Sequence, residues 1–191
     1  MDGTIIGNNS VSASLEQAVE KLVAGKTDKA SARCDFMVSH RKIGLWHLSS
    51  HEDWLNTLVD VNTQIRQGWR QYNDGIAEGI FDAFPAQELF VLSKRIPEPY
   101  DWPKRWVSSG GVISDGRMIA LKDSEVWSRI SDFGLPFPAY ARRSGMWVRD
   151  VSRTDAMQLG LIDRERRVCV QRLPRPRLIL FDPEPEPDEE V

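Results

Sequence analysis

The chain has 191 residues, 41% of them hydrophobic, which is enough to bury the core of an ordinary domain. Its 25 Lys and Arg against 28 Asp and Glu give a formal charge of −3, and its two cysteines, Cys34 and Cys169, are too few and too far apart for a disulfide framework. The opening MDGTIIGNNS lacks the cationic start and apolar run of a signal peptide, and no stretch approaches the roughly 18 apolar residues of a membrane span, so the expectation is a folded protein made in cytoplasm with no membrane partner.

Residues 1–13, rich in Gly, Asn and Ser, read as frayed. The spacing of Leu15, Ala18, Val19, Leu22 and Val23 predicts a helix after Ser14 that Gly25 stops, and a second helical stretch covers about 28–42 with Phe36, Met37 and Ile43 as its apolar content. Together they make an N-terminal helical arm, 1–44. The strongest helical pattern is 48–73, where Trp54, Leu58, Val61, Ile65 and Trp69 recur every three or four residues, Ser50 can cap the first turn, and Glu52 and Asp53 sit at the positive end of the dipole. Gly68 lies in that stripe, and because it costs about 1 kcal/mol against Ala it predicts the close approach of a neighbouring element. A shorter helix is expected from Asp74 to Phe84, stopped by Pro85, with PAQELFVLSKRI resuming as helix and PEPYDWP (97–103) as an extended connector.

From there the pattern changes. WVSSGGVISDGRMIALK (106–122) predicts a small hairpin or meander, with Met118, Ile119, Ala120 and Leu121 in a buried strand. Ser124 opens a short helix whose Val126, Trp127 and Ile130 share a face, and Ser152 with Asp155 opens another that Gly160 closes. Between them, DFGLPFPAYARRSGMWVRDVS (132–152) has neither a helical nor a strand period, yet it concentrates Phe133, Phe137, Tyr140 and Trp147. Exposed apolar area is unfavourable by about 25 cal/mol per Å², so this loop either folds onto a core or is covered by a partner. The fold class expected is α+β: a helix-rich single domain with a small antiparallel β-hairpin or meander, plus extended N- and C-terminal arms.

The net charge hides an asymmetry. The last ten residues hold six acids and no base, which leaves residues 1–181 with 25 bases against 28 less 6, or 22, acids. Just before that tail, RERRVCVQRLPRPR (164–177) carries Arg164, Arg166, Arg167, Arg172, Arg175 and Arg177 with a single acid. Such a strip suits phosphate or an acidic partner surface; a solvated strand and linker neutralised by the acidic tail is the plainer account.

Chemistry-bearing patterns are sparse. Cys34, His40, His47 and His51 cluster in sequence, but His47 and His51 would need a continuous helix across 48–50, where a helix begins, so they read as surface and packing residues and no metal is expected. There is no P-loop, GxSxG, Rossmann glycine pattern or HExxH. Asp53 and Asp60 share a helix face with Glu52 nearby, but lie roughly 10 Å apart along the axis, too far for a shared ion. Gly110 and Gly111 precede no helix start that could cradle a phosphate. The expectation is therefore no catalytic residue and no cofactor. Of seven tryptophans, Trp54, Trp69 and Trp127 sit on helical stripes and are expected in the core. Trp102, Trp106 and Trp147 lie in turn-rich segments beside arginines, a composition that suits either core or contact surface. With Phe137, Tyr140, Arg142 and Arg143 they are the candidate interface residues.

The succession TLVDVNTQIRQGWRQYN, DAFPAQELF, DWPKRWVSSGG and GRMIALKDSEVWSRISDFGLPFPAYARRSGMWVRDVSRTDAMQLGLID resembles the minor head proteins of tailed phages, the Mu F-like head morphogenesis family, over 45–163. That family shows a Thr-Asn helix, a Pro-Ala-Gln-Glu-Leu segment, a Trp-Pro and Gly-Gly connector, a Gly-Arg-Met-Ile-Ala stretch and a Pro-aromatic-Pro loop with Ser-Gly-Met, and the specificity comes from their order. The chain departs from the pattern at Ala139, where the family has a second proline, and at Arg142 and Arg143, where it has acidic or amide residues.

The resemblance implies a structural minor head protein of a tailed phage or prophage, not an enzyme. It would reside in the phage head, be assembled in host cytoplasm, be present in multiple copies and contact the portal and other capsid proteins. Residues 164–191 would then be an Arg-rich strand or linker followed by an acidic Pro/Glu tail. Two other classes stand beside it. A nucleic-acid-binding virion protein would contact packaged DNA through the arginines and exposed tryptophans, with steep salt dependence. A metal-dependent nuclease or toxin-like enzyme would lose activity to a chelator.

Overall fold

A computed structural model describes residues 3–42, 52–77, 79–92 and 100–181. The chain folds as two compact units: one holds the residues up to Thr63 together with those from Arg177 onward, the other Gln64–Pro176. Among the described residues no helix is long and apolar enough to cross a membrane.

The first unit is helical. Helices α1 (Gly3–Val23), α2 (Lys29–Lys42) and the start of α3 (Glu52–Ala77) pack Val11, Leu15, Ala18 and Val19 against Ala32 and Phe36 and against Leu55, Leu58 and Val59. The frayed reading of 1–13 is corrected here, because α1 begins at Gly3. Val11 lies one turn before Leu15 and continues its stripe into the core, and the Ser14 hydroxyl bonds back to the Val11 carbonyl at 3.0 Å instead of starting a helix. Gly25, at φ 65°, closes α1, and Asp28 caps α2 by accepting from the Ser31 amide at 2.9 Å. Asp60 of α3 takes a hydrogen bond from Arg33 of α2 at 2.8 Å. The expected caps at Ser50 and the whole of 43–51 lie outside the described residues.

The second unit is built on a four-stranded antiparallel sheet of β1 (Ala86–Val91), β2 (Ile113–Ser114), β3 (Arg117–Leu121) and β4 (Met146–Val151), in the order β2-β3-β1-β4. It also holds the end of α3, α4 (Ile80–Ala83), α5 (Trp102–Ser108), α6 (Val126–Arg129) and α7 (Arg153–Gln158). The hairpin of β2 and β3 turns at Asp115 and Gly116, both left-handed at φ 52° and 73°, as the Asp-Gly signal predicts. The α+β class read from the sequence is the class of the structure.

Three elements differ from the sequence reading. PAQELFV is not helix: it enters the middle of the sheet as β1, with Ala86 opposite Leu121 on one side and Val151 on the other. Trp102 and Pro103, expected in the extended connector 97–103, open α5 instead, because Asp101 accepts from the Lys104 amide at 3.1 Å and Pro103 falls in the first turn, where no amide hydrogen is needed; 97–99 lie outside the described residues. The loop 132–152 ends as β4, an edge strand.

Two apolar layers flank the sheet. One packs Leu89 and Met146 against Trp102, Trp106, Trp127, Ile130 and Tyr140. The other packs Ala86, Ile119, Leu121 and Val151 against Ala156 of α7 and Ile162. The Ser152 side chain accepts from the Asp155 amide and so starts α7, as expected. Residues 164–181 have no ladder partner; side chains of α3 hold Leu173, Ile179 and Phe181, while Asp82, Asp123 and Arg153 hold 166–169. In this unit Asn73 grips Leu173 by both backbone groups while the Trp69 indole donates to the Leu173 carbonyl at 2.9 Å; in the first unit Asn62 grips Ile179 and the Trp54 indole donates to the Phe181 carbonyl at 2.7 Å. Trp54 and Trp69 are thus half-buried, their indole nitrogens engaged on the chain's own C-terminal segment.

A candidate docking cleft

The second unit contains a cleft of about 480 Å³. One wall is the C-terminal half of α3, presenting Gly68, Gln71, Tyr72 and Gly75. Phe81 of α4, the loop residues Pro136–Pro138 and the sheet residues Gln87, Lys122, Trp147, Val148 and Asp150 complete it.

The close approach predicted at Gly68 is real. A methyl group there would overlap the Pro138 carbonyl oxygen and meet Phe137 Cδ2 at 3.1 Å, so only glycine lets the Pro-Phe-Pro loop lie against the helix. About two helical turns later, Gly75 lets the Phe81 ring approach in the same manner, with a Cβ falling 2.7 Å from Cε1. Tyr72 sits between these two contacts, its ring edge-on to Phe81 at 5.8 Å and tilted to Phe137 at 5.7 Å. Such ring pairs contribute about 0.5–1.5 kcal/mol beyond their area.

Lys122 is the charged group of the floor. It follows β3, is 6% exposed, donates to Asp150 at 2.6 Å and lies over the Phe81 ring at 4.5 Å. Burial pushes its ammonium below the usual lysine range, while the hydrogen bond and charge of Asp150 act in the opposite direction. Burial also raises the Tyr72 phenol, with a smaller contribution from the Asp123 charge. The arrangement is an aromatic-walled recess with an internally satisfied ion pair, and Asp150 still reaches solvent at 48% exposure. Chemically it suits an amphipathic side chain from a partner: the rings offer dispersion contacts and Asp150 offers an acceptor.

On the opposite face of the sheet, Glu88 of β1 is buried between Arg117 of β3 and Arg149 of β4, which donate at 3.0 Å and 2.8–2.9 Å. Burial by itself would raise this carboxyl, but the two guanidinium groups outweigh it and hold the pKa below the usual range. Among the described residues no group of three His, Cys, Asp or Glu is placed to hold a metal. Cys34 is exposed, and the side chain of His40 and all of His47 and His51 lie outside the described residues.

Of the interface residues read from the sequence, two line the cleft: Phe137, itself buried, and Trp147, half-buried on the edge strand. Trp102, Trp106 and Tyr140 are corrected. They are 2%, 0% and 0% exposed and form the centre of an apolar layer, with Trp106 and Trp127 edge-to-face at 5.1 Å, so they present no surface to a partner. Arg142 is half-buried and Arg143 exposed, and neither lines the cleft. Arg164, Arg166, Arg167, Arg172, Arg175 and Arg177 are all exposed, but body acids already neutralise part of the strip, since Arg167 pairs with Asp82 at 3.0 Å and Arg166 approaches Asp123 at 3.7 Å. Lys122, Asp150, Tyr72 and Gln87 were not read as site residues. For Tyr72 a signal existed, since it stands four residues from Gly68 on the same helical face.

No family model, curated protein or solved structure matches the chain.

Proposed function

We propose that the chain is a structural minor head protein of a tailed phage or prophage, acting in capsid assembly through protein–protein contacts near the portal, with the cleft as one of its docking surfaces. The observation that carries this reading is where the cleft's walls come from. Gly68, Gln71 and Tyr72 belong to TLVDVNTQIRQGWRQYN, Gln87 to DAFPAQELF, and Lys122, Phe137, Trp147 and Asp150 to the segment that begins GRMIALK. Three of the four segments whose order resembles the Mu F-like family therefore meet at one recess, while DWPKRWVSSGG contributes none of its lining. Tyr72 and Phe137 are already packed against their neighbours, so less of their side-chain freedom is left to lose on docking.

On this reading the protein works without chemistry of its own, resides in the phage head after assembly in host cytoplasm, and is present in multiple copies beside the portal. Quantitative mass spectrometry of purified particles tests it. A fixed copy number, low against the major capsid subunit, is expected, and Trp147→Ala is expected to lower it while the second unit still melts cooperatively. Absence of the protein from mature particles overturns the reading.

The exposure of all six arginines of 164–177 favours a second reading, contact with packaged DNA. Binding would then lose about 10³-fold or more in affinity between 50 and 200 mM salt if six phosphates are engaged. A salt-independent signal would sink it.

A further inference from the structure

The core of the first unit is completed by the far end of the chain. Leu178 and Phe181 pack against the layer formed by α1, α2 and the start of α3, more than a hundred residues away in sequence. Two polar contacts fix them there. Asn62 donates to the Ile179 carbonyl at 2.9 Å and accepts from its amide at 2.8 Å, and Trp54 donates to the Phe181 carbonyl at 2.7 Å. These contacts read backbone alone, with register set by where Leu178 and Phe181 seat.

The link that delivers this segment is short and carries two prolines. Leu173 is held in the second unit by Asn73, and Pro174 and Pro176 stand between it and Arg177, which is exposed. Proline fixes φ near −65°, so Pro174 and Pro176 narrow the conformations open to the link.

We propose that the groove of the first unit, formed by Trp54, Asn62 and the apolar layer around them, is a binding site for an extended chain, and that residues 177–181 of a second copy fill it when copies are crowded together. The inference rests on the reading of this protein as an assembling subunit. Every contact made in one copy is reproduced when an identical segment comes from another, so the choice between them depends on the tether alone. A short tether supplies an effective concentration of roughly millimolar, and subunits packed side by side in a shell reach local concentrations of the same order.

The test uses the full chain with a photo-reactive benzoylphenylalanine in place of Phe181. Light and heavy-isotope copies are mixed, unfolded in urea, refolded together at about 1 µM or about 1 mM, and irradiated. Mixed-isotope cross-links between residue 181 and the 52–63 stretch of α3 are expected to rise at least tenfold at the higher concentration. Asn62→Ala in the receiving copy should abolish that rise. Should the probe at 181 prevent folding, position 180, where Leu180 is 46% exposed, carries it instead. Cross-links confined to isotopically uniform chains at both concentrations overturn the proposal. The readout is independent of whether the protein is found in particles, so failure here and failure of the functional reading are separable.

Discussion

Replacing Gly68 by Ala sets two opposed effects against each other. In a helix interior Ala is favoured over Gly by about 1 kcal/mol, and an open site would register that gain as higher stability. Here the added methyl would fall within the contact limit of the Pro138 carbonyl oxygen and 3.1 Å from the Phe137 ring. A backbone carbonyl and a ring that is 4% exposed would both have to retreat, disturbing the Tyr72–Phe137 pair. Overpacking of this kind costs about 1–3 kcal/mol, and with both backbone and ring displaced the upper part of that range applies. After the propensity gain the expected net loss is about 1–2 kcal/mol, a fall in Tm of roughly 2–8 °C for a chain of this size. Thermal melts followed by circular dichroism and by tryptophan fluorescence would read it, with Gln67→Ala, at an exposed neighbouring position, shifting stability by no more than about 0.5 kcal/mol. An unchanged or raised Tm for Gly68→Ala would refute the packing of the Pro-Phe-Pro loop on α3.

Three further outcomes are expected. Glu88→Gln weakens both guanidinium hydrogen bonds and should cost about 1.5–3 kcal/mol at pH 7; because the folded-state carboxyl is lowered, this advantage of the native chain is complete above the ordinary glutamate range and lost as pH falls through the folded value, which urea titrations at pH 7 and at acid pH would compare. Asp150→Ala strands the buried Lys122 ammonium and should destabilise by about 3 kcal/mol or more, whereas Lys122→Met removes the buried charge and should cost far less; equal losses in urea would contradict the burial of the pair. Since the Lys122 pKa is depressed by folding, the cost of keeping it charged also shrinks as pH rises toward its ordinary range, so stability referenced to Lys122→Met should improve there. Finally, Asn62→Ala should speed hydrogen exchange at the Ile179 amide about tenfold, read by mass spectrometry, while core amides of the second unit stay protected.

What the sequence revealed was local chemistry, and what it concealed was pairing at a distance. The Asp115-Gly116 turn, the Ser152–Asp155 box and the glycine at position 68 each announce themselves within a few residues, because a positive φ, a cap or a missing side chain is a local demand. β1 does not. Its Gln87 and Glu88 break the apolar alternation of a buried strand, and what makes Glu88 tolerable there is a pair of arginines 29 and 61 residues away. Trp102 and Trp106 misled for the same reason: the arginine beside them is accommodated, with Arg105 stacked 5.2 Å over the Trp102 ring and bonded to Asp132, while the indoles turn inward. The cleft was half visible, through Gly68, Phe137 and Trp147. Lys122 and Asp150 were not, since an ion pair that reaches from the end of β3 across β1 to β4 leaves no trace in the spacing of either residue.

The tryptophan layer gives the second unit an optical signature. Trp106 and Trp127 stand 5.1 Å apart at a steep interplanar angle, and Tyr140 lies 6.1 Å beyond Trp127. Aromatic transitions held that close and that rigidly couple, so the folded protein should show sharp near-ultraviolet dichroism that vanishes once the rings rotate freely, even while the helices persist. The packing that withdrew these residues from any partner thereby makes them a native reporter, able to separate a variant that has lost its tertiary order from one that has lost only its ability to assemble.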